Sequence, residues 1–208
     1  MSTTVTQPDS GEIRVLEGPV TEEPAPAWDD APCYAAGTAL PAYRFVPGLN
    51  PHPQRDKKGH MFGQREMEFV PITGDNWRES TRYLYGIDLY HNGYFWEAHE
   101  AWEGLWKAAD DDSLEANFLQ ALILNAAAQL KAHTRRANGV RTHSQAARWR
   151  LARIRSRGYD GPQMPFMGID VGDLVDQLKR HYGPVCASKD MDVVRLKGPA
   201  PRLILKLE

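Results

Sequence analysis

Apolar and polar positions divide this chain into two unlike parts at about residue 75. Beyond Asp75 the apolar residues recur at helical spacing in runs separated by short breaks. The first run, residues 76–92, places Trp77, Tyr83, Leu84, Ile87 and Tyr90 on one arc and closes on Asn92-Gly93. A second helix is expected over residues 94–109. Asp110 to Ser113 make a break and supply a cap for a third helix starting at Leu114. That third run, LEANFLQALILNAAAQLKAHTRR, is apolar on nearly all sides, as suits a helix surrounded by others. A fourth is expected over residues 140–156, after the Asn138-Gly139 break. A fifth is capped by Asp170 and stopped near Tyr182 by Gly183-Pro184. RLILKL (202–207) closes the chain as a short strand that can pair with an N-terminal one.

Before Asp75 no helical period appears. Ten of the fifteen prolines lie in residues 1–71, so regular helices are not expected there. EIRVL (12–16) and EMEFVPI (66–72) have strand character. Residues 39–63 mix aromatics with turn formers; Tyr43, Phe45 and Phe62 make them a wrapping segment rather than a free linker. The expected architecture is an all-α bundle of about five helices with an extended N-terminal arm and short terminal strands. Its divisions are an arm over residues 1–74 packing on the bundle, a helical domain over 75–184, and a tail with a strand over 185–208.

Composition narrows the class. A net charge of −2 and a pI near 6.4 do not suggest a nucleic-acid or membrane-surface protein. Cys33 and Cys186 lie far apart and form no metal-ribbon or redox pair, so reduced thiols in a cytoplasmic protein are expected. No secretory leader and no long apolar run occurs. Charge is nonetheless uneven. Residues 97–115 are acidic but for Lys107, while residues 131–157 carry many arginines and no acid. That basic stretch reads as a solvated helix face, and nucleic acid is not expected as a partner.

The chemistry concentrates in YFWEAHEAWEGLW (94–106). Phe95, Ala98, Trp102, Leu105 and Trp106 share a face at 100° per residue. Trp96 lies opposite, beside Lys107, placed to cover the arm or to mark a contact surface. His99 and Glu103, one turn apart, edge the apolar face with Glu100 on the adjoining strip, while Glu97 points elsewhere. The i,i+4 pairing resembles the helical ligand pair of zinc proteases, with a carboxylate as second ligand. On the third helix Asn125, Gln129 and His133 are polar positions that need partners. If the two helices pair antiparallel, His133 can meet His99. Two readings follow. One is a divalent transition metal on His99, Glu103 and His133 with Glu100 as general base, in a hydrolase-like enzyme or metal-binding protein. The other is a non-enzymatic structural or protein-interaction module, paired with a protein partner or with itself, whose buried His/Glu cluster fixes helix register. His52 and His60, in the arm, can reach the same site. No nucleophile motif or phosphate loop is present.

GYFWEAHEAWEGLW, followed by FLQALILNAAAQLKAH and the Asn-Gly break, resembles the domain-of-unknown-function-309 family, small all-helical bundles found widely in bacteria. The resemblance covers roughly residues 77–156 and implies a helical bundle without an assigned activity. Ala121 and Asn125 depart from it, standing where the family implies glycine and a second glutamine. YRFVPGLNPHP and GHMFG are similar to an N-terminal extension that accompanies this domain in some bacteria. LYHNGYFWEAHEAWEGL is also similar to one tetratricopeptide hairpin, but only one such unit is present.

Overall fold

The computed structural model describes residues 11–64, 69–190 and 192–207. Five helices dominate it: α1 (Thr81–His91), α2 (Phe95–Ala108), α3 (Leu114–His133), α4 (Ala137–Arg155) and α5 (Val171–Ala187). Two short strands, β1 (Ile13–Leu16) and β2 (Val194–Lys197), pair antiparallel with Ile13 opposite Lys197 and Leu16 opposite Val194. The all-α bundle with a small terminal strand pair is therefore the fold.

Local signals explain most boundaries. Ser80, Ser113 and Asp170 cap α1, α3 and α5, each side chain accepting from the backbone N–H three residues on. Consecutive helices run back on one another. Trp102 of α2 donates its indole N–H to the Tyr83 carbonyl of α1 at 3.2 Å, and Gly86 faces the same indole, where a Cβ would collide with the ring. Trp102, Phe95 and Leu105 are buried as their spacing predicts, and Trp106 packs on the core from a partly buried position.

Several boundaries differ from those expected. The first helix begins at Thr81, and Trp77–Glu79 form a separate 3-10 turn. Helix α4 begins at Ala137, so Asn138-Gly139 sits inside its first turn; the left-handed residue that breaks the chain is Arg135, at φ 60°. Helix α5 runs through Gly183-Pro184 to Ala187. Its last carbonyls are satisfied from α4, because the Arg141 guanidinium donates to Val185 O (2.8 Å) and Ser188 O (2.9 Å).

The C-terminal strand is Val194–Lys197, not RLILKL. Residues 202–206 alternate between more and less buried, but the backbone groups of this segment bond to loop and side-chain partners. Leu203 N–H donates to His91 Nε2, Leu205 N–H to the Tyr34 hydroxyl and Lys206 N–H to the Gly168 carbonyl. Of EMEFVPI, residues 66–68 lie outside the described residues, and 69–72 form no strand.

The arm is tied to the bundle by buried carboxylates. Asp88 of α1 accepts from the N–H groups of Tyr34 (2.9 Å) and Ala35 (2.7 Å), and Glu97 of α2 accepts from Phe45 N–H at 3.0 Å. Tyr85 and Tyr94 donate their hydroxyls to the carbonyls of Ala39 and Pro41. Trp96 meets the arm as expected, edge-on to Phe45 and His52.

Candidate functional site

Two kinds of polar cluster occur, and their hydrogen bonding separates them. The first lies in the core between α1, α3 and α5. Asn125 donates to the Tyr90 hydroxyl (2.9 Å) and accepts from that of Tyr182 (2.9 Å). Gln129 Nε2 bonds Tyr182 Oη (2.9 Å) and lies 3.0 Å from His181 Nε2, whose Nδ1 is 3.1 Å from the Lys197 carbonyl. Burial lowers the His181 pKa to about 4, so a neutral ring completes the chain. Every member has a partner, which is what a structural network requires.

The second cluster lies along the outer edge of α2. One nitrogen of His99 and one oxygen each from Glu100 and Glu103 lie within 4.8 Å of one another, all three residues half-buried. His99 Nδ1 is 3.4 Å from Glu100 Oε1 and is a buried atom without a hydrogen-bond partner among the described residues. The other Glu100 oxygen accepts from the Gln54 amide of the arm at 3.1 Å, and Glu103 pairs with Lys107 at 3.4 Å. Burial pushes the Glu100 carboxyl up, but His99, Gln54 and Lys107 together outweigh it, and the net shift is downward. Glu100 is thus held as an anion.

His133 does not join this group. Its Nε2 lies 2.9 Å from the Glu22 carbonyl, so it fastens the arm to the end of α3. The histidine that senses His99 is His143 of α4, whose pKa is lowered by burial and then by Lys131 and His99. His91, expected on the apolar side of the first helix, is fully buried; burial and then Arg202 lower its pKa to about 4.

Sequence reasoning missed Glu97. It is 4 % exposed and points under the arm. Burial raises its pKa to about 7, against its own N–H and that of Phe45, while Glu23 and Glu100 push it further up. His60 comes from the arm to within 3.5 Å of Glu97 Oε1, and burial lowers its pKa. Near neutral pH Glu97 is therefore only partly ionised, and it faces an imidazole whose charged form burial disfavours. His60 reaches α2 at Glu97 rather than at the His99–Glu103 cluster; His52 accepts from Gln54 N–H (3.3 Å) and packs on Phe45 and Trp96. GHMFG was the available signal for His60. Nothing in the α2 pattern showed that the arm would cover Glu97.

Helices wrapped by an arm, with a donor cluster at the edge of one of them, define an all-α bundle protein. Residues 83–143 match the family model described as Domain of unknown function (DUF309), inside the 77–156 span of the sequence resemblance. The chain matches no curated protein and no solved structure. No described helix is long and apolar enough to cross a membrane.

Proposed function

We propose that this chain is a divalent-metal-binding protein whose ion sits on the edge of α2, held by His99, Glu100 and Glu103. The observation that carries the reading is the buried, unpartnered Nδ1 of His99 beside two carboxylates. One imidazole nitrogen with two carboxylate oxygens suits zinc, manganese or ferrous iron rather than calcium. A tetrahedral ion with bonds of about 2.1 Å separates its ligands by about 3.4 Å, and His99 and Glu100 are 3.4 Å apart. Glu103 must leave Lys107 to complete the set. Three protein ligands leave positions open for water, which is the arrangement of a hydrolytic site. Glu100 serves better as a ligand than as the general base, since its charge is already held by its neighbours.

Calorimetric titration of chelator-treated, untagged protein with Zn²⁺ or Mn²⁺ tests this. One ion per chain is expected, with affinity at least tenfold weaker in His99→Ala and in Glu103→Gln. Equal binding by wild type and His99→Ala, or none by either, contradicts it.

The second reading is a non-enzymatic module. The fully partnered Asn125–Tyr182–Gln129–His181 network supports a register-setting role. Trp149, 58 % exposed and flanked by the guanidinium groups of Arg150 and Arg153, supports a contact surface for a protein partner or a second copy.

A further inference from the structure

We infer that the cavity between the arm and helices α1 and α2 binds a small zwitterion, its anionic end on Arg82 and its ammonium end on Glu97 and His60. This goes beyond the metal reading and needs no ion.

The cavity has a volume of about 320 Å³, within the range of small-molecule sites. Its roof is the arm around Ala39, Pro41 and Ala42, pinned by the Tyr85 and Tyr94 hydroxyls. The Leu89 and Ala101 side chains and the Tyr85 ring form its walls. His60 is carried in by a tight turn in which Gly59 packs on the Pro53 and His52 carbonyls, leaving no room for a Cβ.

Four polar atoms on the residues lining this space are orphans. Glu97 Oε2, both ring nitrogens of His60 and Arg82 Nε are buried without a hydrogen-bond partner among the described residues. One such atom is a defect that native proteins avoid; several converging on one cavity are what a bound ligand satisfies.

Charge fixes the class of ligand. Arg82 is the cation lining the cavity and sits in the first turn of α1, while Leu89, seven residues on, lies at the other end, about 10 Å away along the helix axis. Glu97 and His60 supply acceptors. A carboxylate or comparable anion meets the guanidinium, an amine meets Glu97 Oε2 and the imidazole, and a short carbon chain lies on Leu89, Met61 and Ala101.

The probe is 5-aminopentanoate, followed by ¹H–¹⁵N chemical-shift titration with EDTA present, so that the outcome is separate from that of the metal experiment. Saturable shifts are expected at the amides of Arg82, Tyr85, Glu97 and Ala101. Affinity should weaken at least tenfold in Arg82→Met and in Glu97→Gln, the latter keeping an acceptor for Phe45 N–H. Ala42→Trp, which alters an exposed residue at the mouth and no polar group, should weaken it similarly. Pentanoate and pentylamine, each with one charged end, should bind at least tenfold more weakly. Absence of saturable shifts, unchanged affinity in the variants, or equal binding of either singly charged analogue overturns the proposal.

Discussion

His99, Glu100 and Glu103 illustrate how far residue spacing alone can go. The three-, four- and one-residue offsets placed them together at the edge of the apolar face, and the structure brings their ligand atoms within 4.8 Å. The same spacing could not say what covers a face. Glu97 reads as a solvent residue because the helical period knows nothing of the arm, and it is buried by residues about fifty positions away. His133 fails for a related reason: its partner is Glu22, in a segment with no period to read. At this scale burial also governs the response to acid. His91 and His181 have folded pKa values of about 4, below the ordinary 6.5. The unfolded chain therefore takes up protons first, and stability falls as pH drops from about 6.5 towards 4, by roughly 2–4 kcal/mol for each histidine. Glu97, its folded pKa raised to about 7, acts in the opposite sense and offsets part of this. Urea unfolding at pH 7.5, 6 and 5 should show a net loss towards acid. His181→Gln should flatten the dependence, and an unchanged profile in that variant would count against burial of a neutral ring.

Among the elements, helix existence was legible and helix ends less so. The apolar periods of α1 to α5 located each helix, and the serine and aspartate caps at Ser113 and Asp170 were readable because a cap is local chemistry. Gly183-Pro184 misled because the compensation is not local. Val185 is fully buried, and Arg141 from α4 satisfies the carbonyls that follow the proline. Arg141→Met is expected to destabilise by about 1.5–3 kcal/mol, the range for charged hydrogen bonds. It should also speed amide exchange selectively at residues 185–188; uniform exchange across α5 would show that Arg141 does not hold this end. RLILKL shows the limit of period 2. Leu203 and Leu205 face inward while Ile204 and Leu207 are exposed, and the backbone pairs with His91, Tyr34 and Gly168 rather than with a strand.

For the whole molecule the arm is the decisive feature, because both candidate sites depend on it. Gln54 fixes Glu100, His60 faces Glu97, and Asp88 anchors the chain through the Tyr34 and Ala35 N–H groups. Asp88→Ala removes a buried acceptor from two backbone donors and is expected to cost about 2–4 kcal/mol. The arm should then become open to limited proteolysis between residues 36 and 64 while α1 to α5 stay protected. Loss of the whole bundle at once would show that arm and helices do not separate. The central claim, that the edge of α2 is a metal site, is tested most directly by anomalous diffraction from crystals soaked in Mn²⁺ or Zn²⁺. The account predicts one strong peak about 2.0–2.2 Å from His99 Nδ1 and from carboxylate oxygens of Glu100 and Glu103. A peak at His133 or His143 with none at His99, or no ordered ion, would contradict it.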